Sequence, residues 1–129
     1  MAMLILPRVQ AMVLCDGLKE SDVFNLIGVC AILEVSSFPA FHPRLVAYKQ
    51  MSGHSGEASC HIEIERVETS ELIYHSSAKS IKFVDPTRVV PVHFRARNCV
   101  FPAPGLYYVQ VFSDGKLICE RPLQVRQVR

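Results

Sequence analysis

The chain has 129 residues, half of them hydrophobic and a fifth charged, with a formal net charge of +2. That length suits one domain, which can bury roughly two-thirds of its unfolded surface without a metal or disulfide staple. The composition excludes a disordered chain, and so small a charge argues against nucleic acid or a membrane surface as partner.

Met3 to Leu6 is apolar but too short for a signal peptide or a membrane span, and it lacks a cationic start. A cytoplasmic location is expected. From Pro7 onward, Val9, Ala11, Val13 and Cys15 alternate with Arg8, Gln10, Met12 and Leu14, which predicts a first strand. Met12 and Leu14 imply that its second face is covered too. Asp16-Gly17 reads as a turn, and Leu18 to Asp22 as a loop or a single helical turn. Val23 to Val35 is the most apolar run. Its β-branched Val23, Ile27, Val29, Ile32 and Val35 favour one long central strand over a buried helix, with Gly28 marking a bulge or close packing.

Phe38-Pro39 and His42-Pro43 bracket a connection, because proline biases its predecessor towards extended geometry. Arg44 to Gln50 is then a strand with Val46 and Tyr48 inward. Ser52 to Gly56 is a turn; it lacks the Lys-Ser/Thr ending of a phosphate loop. Ala58 to Val67 alternates most clearly, with Ala58, Cys60, Ile62 and Ile64 inward and Ser59, His61, Glu63 and Glu65 outward. A three-residue loop at Glu68-Thr69-Ser70 would pair Ile64 with Tyr74 inside and Glu63 with His75 outside. Ser76 to Lys79 leaves the sheet, and Ile81 and Phe83 re-enter it. Val90, Val92, Phe94 and Ala96 form the next inward face. Val89, Pro91, His93, Arg95 and Arg97 face out, and Pro91 places this strand at an edge or a bulge.

Phe101 to Val125 is a hairpin. A two-residue loop, Asp114-Gly115, would set Val109 opposite Glu120. A three-residue loop, Ser113-Asp114-Gly115, pairs Val111 with Leu117 and Val109 with Cys119, which keeps both pairs apolar and gives Gly115 a positive φ. The three-residue loop is preferred. Tyr107, Val109 and Val111 then face the core with Leu117, Cys119, Leu123 and Val125. Arg121 and Pro122 interrupt the pattern and mark a bulge or an edge. Tyr107 follows Gly105-Leu106 at the start of the penultimate strand, the place of a tyrosine corner in immunoglobulin-like sandwiches. About eight short strands with turn signals every 8–15 residues therefore predict an all-β chain, an antiparallel β-sandwich of immunoglobulin-like or related kind. One domain spans 1–129, with its ordered core over about 7–126.

Little in the chain carries chemistry. No GxSxG elbow is present, and Cys60-His61 are strand neighbours that point to opposite faces. Five cysteines with no CxxC spacing, most of them among Val, Ile and Leu, read as reduced, buried apolar residues. No catalytic residue and no cofactor is assigned. His61, Glu63 and His75 have the donor types of a divalent-metal site. The plainer reading is an exposed cross-strand charge pair, and a flat, exposed face leads us to expect no tight metal binding. His93, Arg95 and Arg97 form a basic stripe that could meet an acidic partner, or simply face solvent and protect an edge.

The order Cys15-Asp16, Leu26-Ile27-Gly28-Val29, Phe38-Pro39, Phe101-Pro102, Pro104-Gly105-Leu106-Tyr107, Asp114-Gly115 and Pro122-Leu123 resembles a family of small uncharacterised bacterial proteins, a domain of unknown function. The resemblance runs over nearly the whole chain from Pro7. It implies a bacterial, stand-alone, sandwich-like domain and brings no catalytic residues with it. The leading functional reading is a non-enzymatic interaction or structural module that binds a protein partner or itself. The alternative is a small-ligand or metal-binding protein using the His61, Glu63 and His75 face. Self-association is expected at an open edge, the first strand or Arg44 to Gln50, since Pro91 and Pro122 blunt two others.

Overall fold

An extended segment can satisfy its backbone N–H and C=O groups only against a neighbouring strand, so the alternating stretches must pair into sheets. The computed structural model describes residues 6–20, 24–29 and 31–128, and of 18–20 and 24–29 the backbone alone. Met3 to Ile5, Val23 and Cys30 lie outside the described residues. The ten strands described are β1 (Arg8–Glu20), β2 (Phe24–Val29), β3 (Ile32–Val35), β4 (Ala40–Ser52), β5 (Gly56–Arg66), β6 (Glu71–His75), β7 (Lys79–Phe83), β8 (Val90–Phe101), β9 (Gly105–Ser113) and β10 (Lys116–Gln127). One sheet runs β2-β1-β4-β8; the other runs β3-β10-β9-β5-β6, and β7 continues along β5 where β6 ends. All pairs are antiparallel except β3 with β10. The core between the sheets includes Leu14, Leu45, Met51, Phe94 and Ala96 from the first and Ile62, Ile64, Val109, Val111 and Leu123 from the second. The expected immunoglobulin-like antiparallel sandwich is what forms.

The alternation along β5 and β8 places Ala58, Cys60, Ile62, Ile64, Val92, Phe94 and Ala96 inward as expected. Several other expectations are corrected. Val23 to Val35 is not one central strand. β2 and β3 lie in different sheets, each at an edge, because a run that is apolar throughout has no period to reveal where the chain crosses over. β1 does not turn at Asp16-Gly17 but continues to Glu20, held by β2 through the Gly17–Ile27 pairing. A register shift lies between Val9 and Ala11; Met12 and Leu14, the face expected to be covered too, lie in the core, and Ala11 and Val13 are half-buried. On β4 the core set is Leu45, Ala47 and Met51, while Val46 is buried outside it. β1 and β4 are both interior strands, so neither offers the open edge proposed for self-association.

A further correction concerns the hairpin. Ser113 pairs with Lys116, leaving the two-residue loop Asp114-Gly115 with φ of 49° and 79°. Both positive values match the type I′ turn that fits the twist of paired strands. A shift between Leu117 and Cys119 then resets the register, so Cys119 lies opposite Val111 and Leu123 opposite Tyr107. The bulge, rather than a longer loop, restores the apolar face. Leu117 drops out of the core into solvent. Gly115 has the positive φ expected of it; Val109 faces Arg121.

The corner at Tyr107 is present. Its hydroxyl donates to the Ala103 carbonyl at 2.6 Å, and Phe101 meets its ring edge-on at 5.0 Å. This bond pins the loop before β9 to the fully buried ring.

Lys49 follows the core parity of β4 and lies fully buried opposite Met12 and Val92. Its Nζ has no hydrogen-bond partner and sits 3.7 Å from the Phe94 ring centroid. Burial drives its pKa down to about 7; the Cys60 and Cys119 thiols oppose this and Lys79 adds to it. A cation–π contact offsets only part of such desolvation.

Two predictions follow from these groups. Tyr107→Phe should lower the unfolding free energy by about 1–2 kcal/mol in urea titration with unchanged m-value, since it leaves the Ala103 carbonyl without its donor. Lys49 has an ordinary value of 10.5 when unfolded, so between pH 7 and 10.5 the unfolded chain binds more protons and stability rises with pH. Burial also raises Cys60, and Cys99 to about 11, which works in the opposite sense above pH 9. Unfolding free energy should therefore climb from pH 7 to 9, at up to about 1.4 kcal/mol per unit. Lys49→Met should be more stable than the parent at pH 7 and nearly flat across that window; a slope that survives in the variant would refute the assignment.

Candidate functional site

Two clusters stand on the outer faces of the sandwich. The first arises where β4 and β8 both break their alternation. On β4 the buried residues pass from Leu45 to Ala40, and on β8 from Ala96 to Cys99, each an odd step. Pro43, which has no N–H, and Asn98, with φ of 59°, stand in the two gaps, and the register between the strands is kept across them. The paired kink places Arg44 directly opposite Arg97, with Arg95 two residues along on the same face. Arg44, Arg95 and Arg97 line an open groove of about 760 Å³ together with Asp16, His42, Pro43 and Asn98. Arg44 Nε donates to the Asp16 carbonyl at 2.7 Å, and His42 Nε2 lies 3.3 Å from Asp16 Oδ1. Like charges set directly opposite one another on a sheet are destabilising, so the Arg44–Arg97 pair is better suited to holding an anion than to holding the fold.

Of the expected basic stripe, Arg95 and Arg97 therefore join the groove. His93 does not line it; its carbonyl accepts a hydrogen bond from Lys79 Nζ at 3.1 Å. Arg44, His42 and Asp16 were not singled out by sequence. Arg44 was legible as a strand residue, but its place beside Arg97 depends on the β4–β8 register, which no local pattern fixes.

The second cluster lies on the outer face of the six-stranded sheet. Glu63 pairs with His75 and Ile64 with Tyr74, as expected, although by a different route. The turn spans Val67 to Ser70, and a register shift between Ile64 and Glu65 makes up the difference. His61 Nε2 lies 2.8 Å from Glu63 Oε2, and His75 Nε2 lies 4.0 Å from the same oxygen. The two imidazoles stack with centroids 4.7 Å apart, and Phe112 stacks on the other side of His61 at 5.0 Å and 7°. Beside them, Gln110 Nε2 donates to Glu65 and Glu120 at 3.2 Å each.

The thiols offer little reactivity. Cys15, Cys60 and Cys99 are buried and Cys119 half-buried, all four unbridged. Burial raises the pKa of Cys60 and Cys99, which disfavours the nucleophilic thiolate. Cys60 points into the core and His61 out of it, so they form no pair. Among the described residues no helix is long and apolar enough to cross a membrane.

The profile of a family of unknown function (DUF6941) matches residues 10–126. No curated protein matches the sequence. Among solved structures, the alkylpurine DNA glycosylase AlkC from Pseudomonas fluorescens, bound to DNA containing an abasic site analog, is similar with a TM-score of 0.55 and 12% identity. The likeness covers 93% of this chain and 30% of that one. A β-glucosidase from Listeria innocua gives a TM-score of 0.55 at 10% identity, over 95% of this chain and 16% of its own. An immunoglobulin-like protein from Pseudomonas aeruginosa gives 0.45 at 14% identity, over 94% and 97% of the two chains. This chain thus spans less than a third of the glycosylase and of the glucosidase, and at such identities the likeness is one of fold alone.

Proposed function

Because the chain belongs to DUF6941, a family of unknown function, we propose its role from its surface: a non-enzymatic interaction module that receives an acidic segment of a protein partner across Arg44, Arg95 and Arg97. The observation that carries this reading is the Arg44–Arg97 pair set face to face beside a shared groove. Guanidinium groups bind carboxylates in a planar, two-pronged fashion, so three of them around one concavity favour a segment with neighbouring Asp or Glu side chains. A net charge of only +2 fits a short acidic peptide better than a nucleic-acid backbone. Four unbridged cysteines among the described residues support a cytoplasmic setting.

Self-association is a second reading with its own support. Glu63, Glu65 and Glu120 cluster on the opposite outer face, around Gln110 and His61, so a second copy could offer carboxylates to the arginine groove. Such a contact is heterologous and would build rings or filaments instead of a closed two-fold dimer.

A fluorescent acidic peptide, titrated into the protein at low salt, should bind with a Kd in the range of tens of micromolar and weaken by about tenfold at high salt. Arg95→Glu with Arg97→Glu should abolish that binding with little change in melting temperature. Equal binding by the double variant would refute the groove. Light scattering without peptide separates the two readings: particles that grow with concentration and vanish in the double variant support the second copy as partner.

A further inference from the structure

We propose that His61, Glu63 and His75 form a binding site for a divalent transition-metal ion of the zinc class, with water completing the coordination. The site lies on the face opposite the arginine groove and goes beyond the interaction reading.

The donor set is two imidazole nitrogens and one carboxylate, the mixture that suits zinc and its first-row neighbours and leaves a position open to water. Strand geometry fixes where the donors stand. His61 and Glu63 are two residues apart on β5 and share its outer face; His75 lies directly opposite Glu63 on β6. One candidate donor atom from each residue falls within 4.8 Å of the others. Zinc–ligand bonds of about 2.0–2.2 Å put neighbouring donors about 3.4 Å apart around a tetrahedral ion. The observed separations of 2.8 and 4.0 Å from Glu63 Oε2 bracket that value, and the exposed His75 ring must tilt out of its stack on His61 for both nitrogens to reach one ion.

The expectation of no tight binding rested on a flat, exposed face with nothing to orient the ligands. The geometry differs for His61 and Glu63, while His75 stays 55% exposed. The side chains of His61 and Glu63 are only 17% and 22% exposed, and Phe112 lies flat against the His61 ring. The ring is thus held by packing, and its Nε2 is already aimed at Glu63. Glu65 would not be the fourth ligand, since it accepts from Gln110; a water would be. Without metal, Glu63 and His61 satisfy each other. An ion must displace the hydrogen bond between them.

Calorimetric titration of the full chain with zinc chloride at neutral pH should show one equivalent bound with a Kd of micromolar or tighter, and zinc should raise the melting temperature. His61→Ala with His75→Ala should weaken binding by about 100-fold or more. If that pair fails to fold, Glu63→Gln serves, with a loss of about tenfold or more expected. Cobalt in place of zinc should give visible bands without thiolate charge transfer. A Kd above about 100 µM for the parent, unchanged affinity in the variant that folds, or a thiolate band at one equivalent would each overturn the site.

Discussion

A strand with one buried face presents its side chains in strict alternation, and it can change which residues it shows only by breaking that alternation. The surface of this sandwich depends on where those breaks fall. Pro43 and Asn98 break β4 and β8 at the same level, and the arginine groove opens there. A shift between Ile64 and Glu65 sets the pairing that brings His75 to Glu63. A shift between Leu117 and Cys119 hands Cys119 and Leu123 back to the inner side of β10. Regular strands build the core, and their irregularities build the sites.

Legibility in the sequence follows the same line. β5 and β8 were readable because polar and apolar residues alternate cleanly, and the Glu63–His75 pair was anticipated through a three-residue loop where a longer turn and a register shift in fact produce it. The corner at Tyr107 was readable from its Gly-Leu-Tyr setting. Val23 to Val35 was not, because an unbroken apolar run looks alike whether it stays in one sheet or crosses between two. The parity of β4 was hidden by Lys49, a charged residue on the core face, which made Val46 and Tyr48 look like the inward set. The hairpin register was misjudged because a turn and a bulge together recover the apolar face that a longer loop would also give. Arg44 stayed hidden because its neighbour Arg97 lies on another strand.

Lys49 and the arginine pair share a physical character. Both place positive charge where the fold gains nothing from it, one in a low-dielectric interior and one against a like charge. Lys49 shares the Phe94 ring with Lys79, whose Nζ lies 5.1 Å from the same centroid and bonds the His93 carbonyl across the sandwich edge. Carboxylates gather instead on the far sheet around Gln110. The molecule thus carries a cluster of arginines on one outer face and a cluster of carboxylates on the other.

The short strand β3 carries a consequence for how the chain is made. It lies parallel to β10, tied by the Glu34–Arg126 ion pair at 2.7 Å across 92 residues of sequence, by Gln127 Nε2 to the Ser36 carbonyl, and by the Val128 N–H to Val35. On a ribosome, β3 is complete long before its partner exists, with apolar Leu33 waiting for a surface to cover it. The six-stranded sheet can close along that edge only once residues 124–128 have emerged. Emergence of residues 124–128, not local hairpin formation, therefore sets the moment at which this edge is sealed.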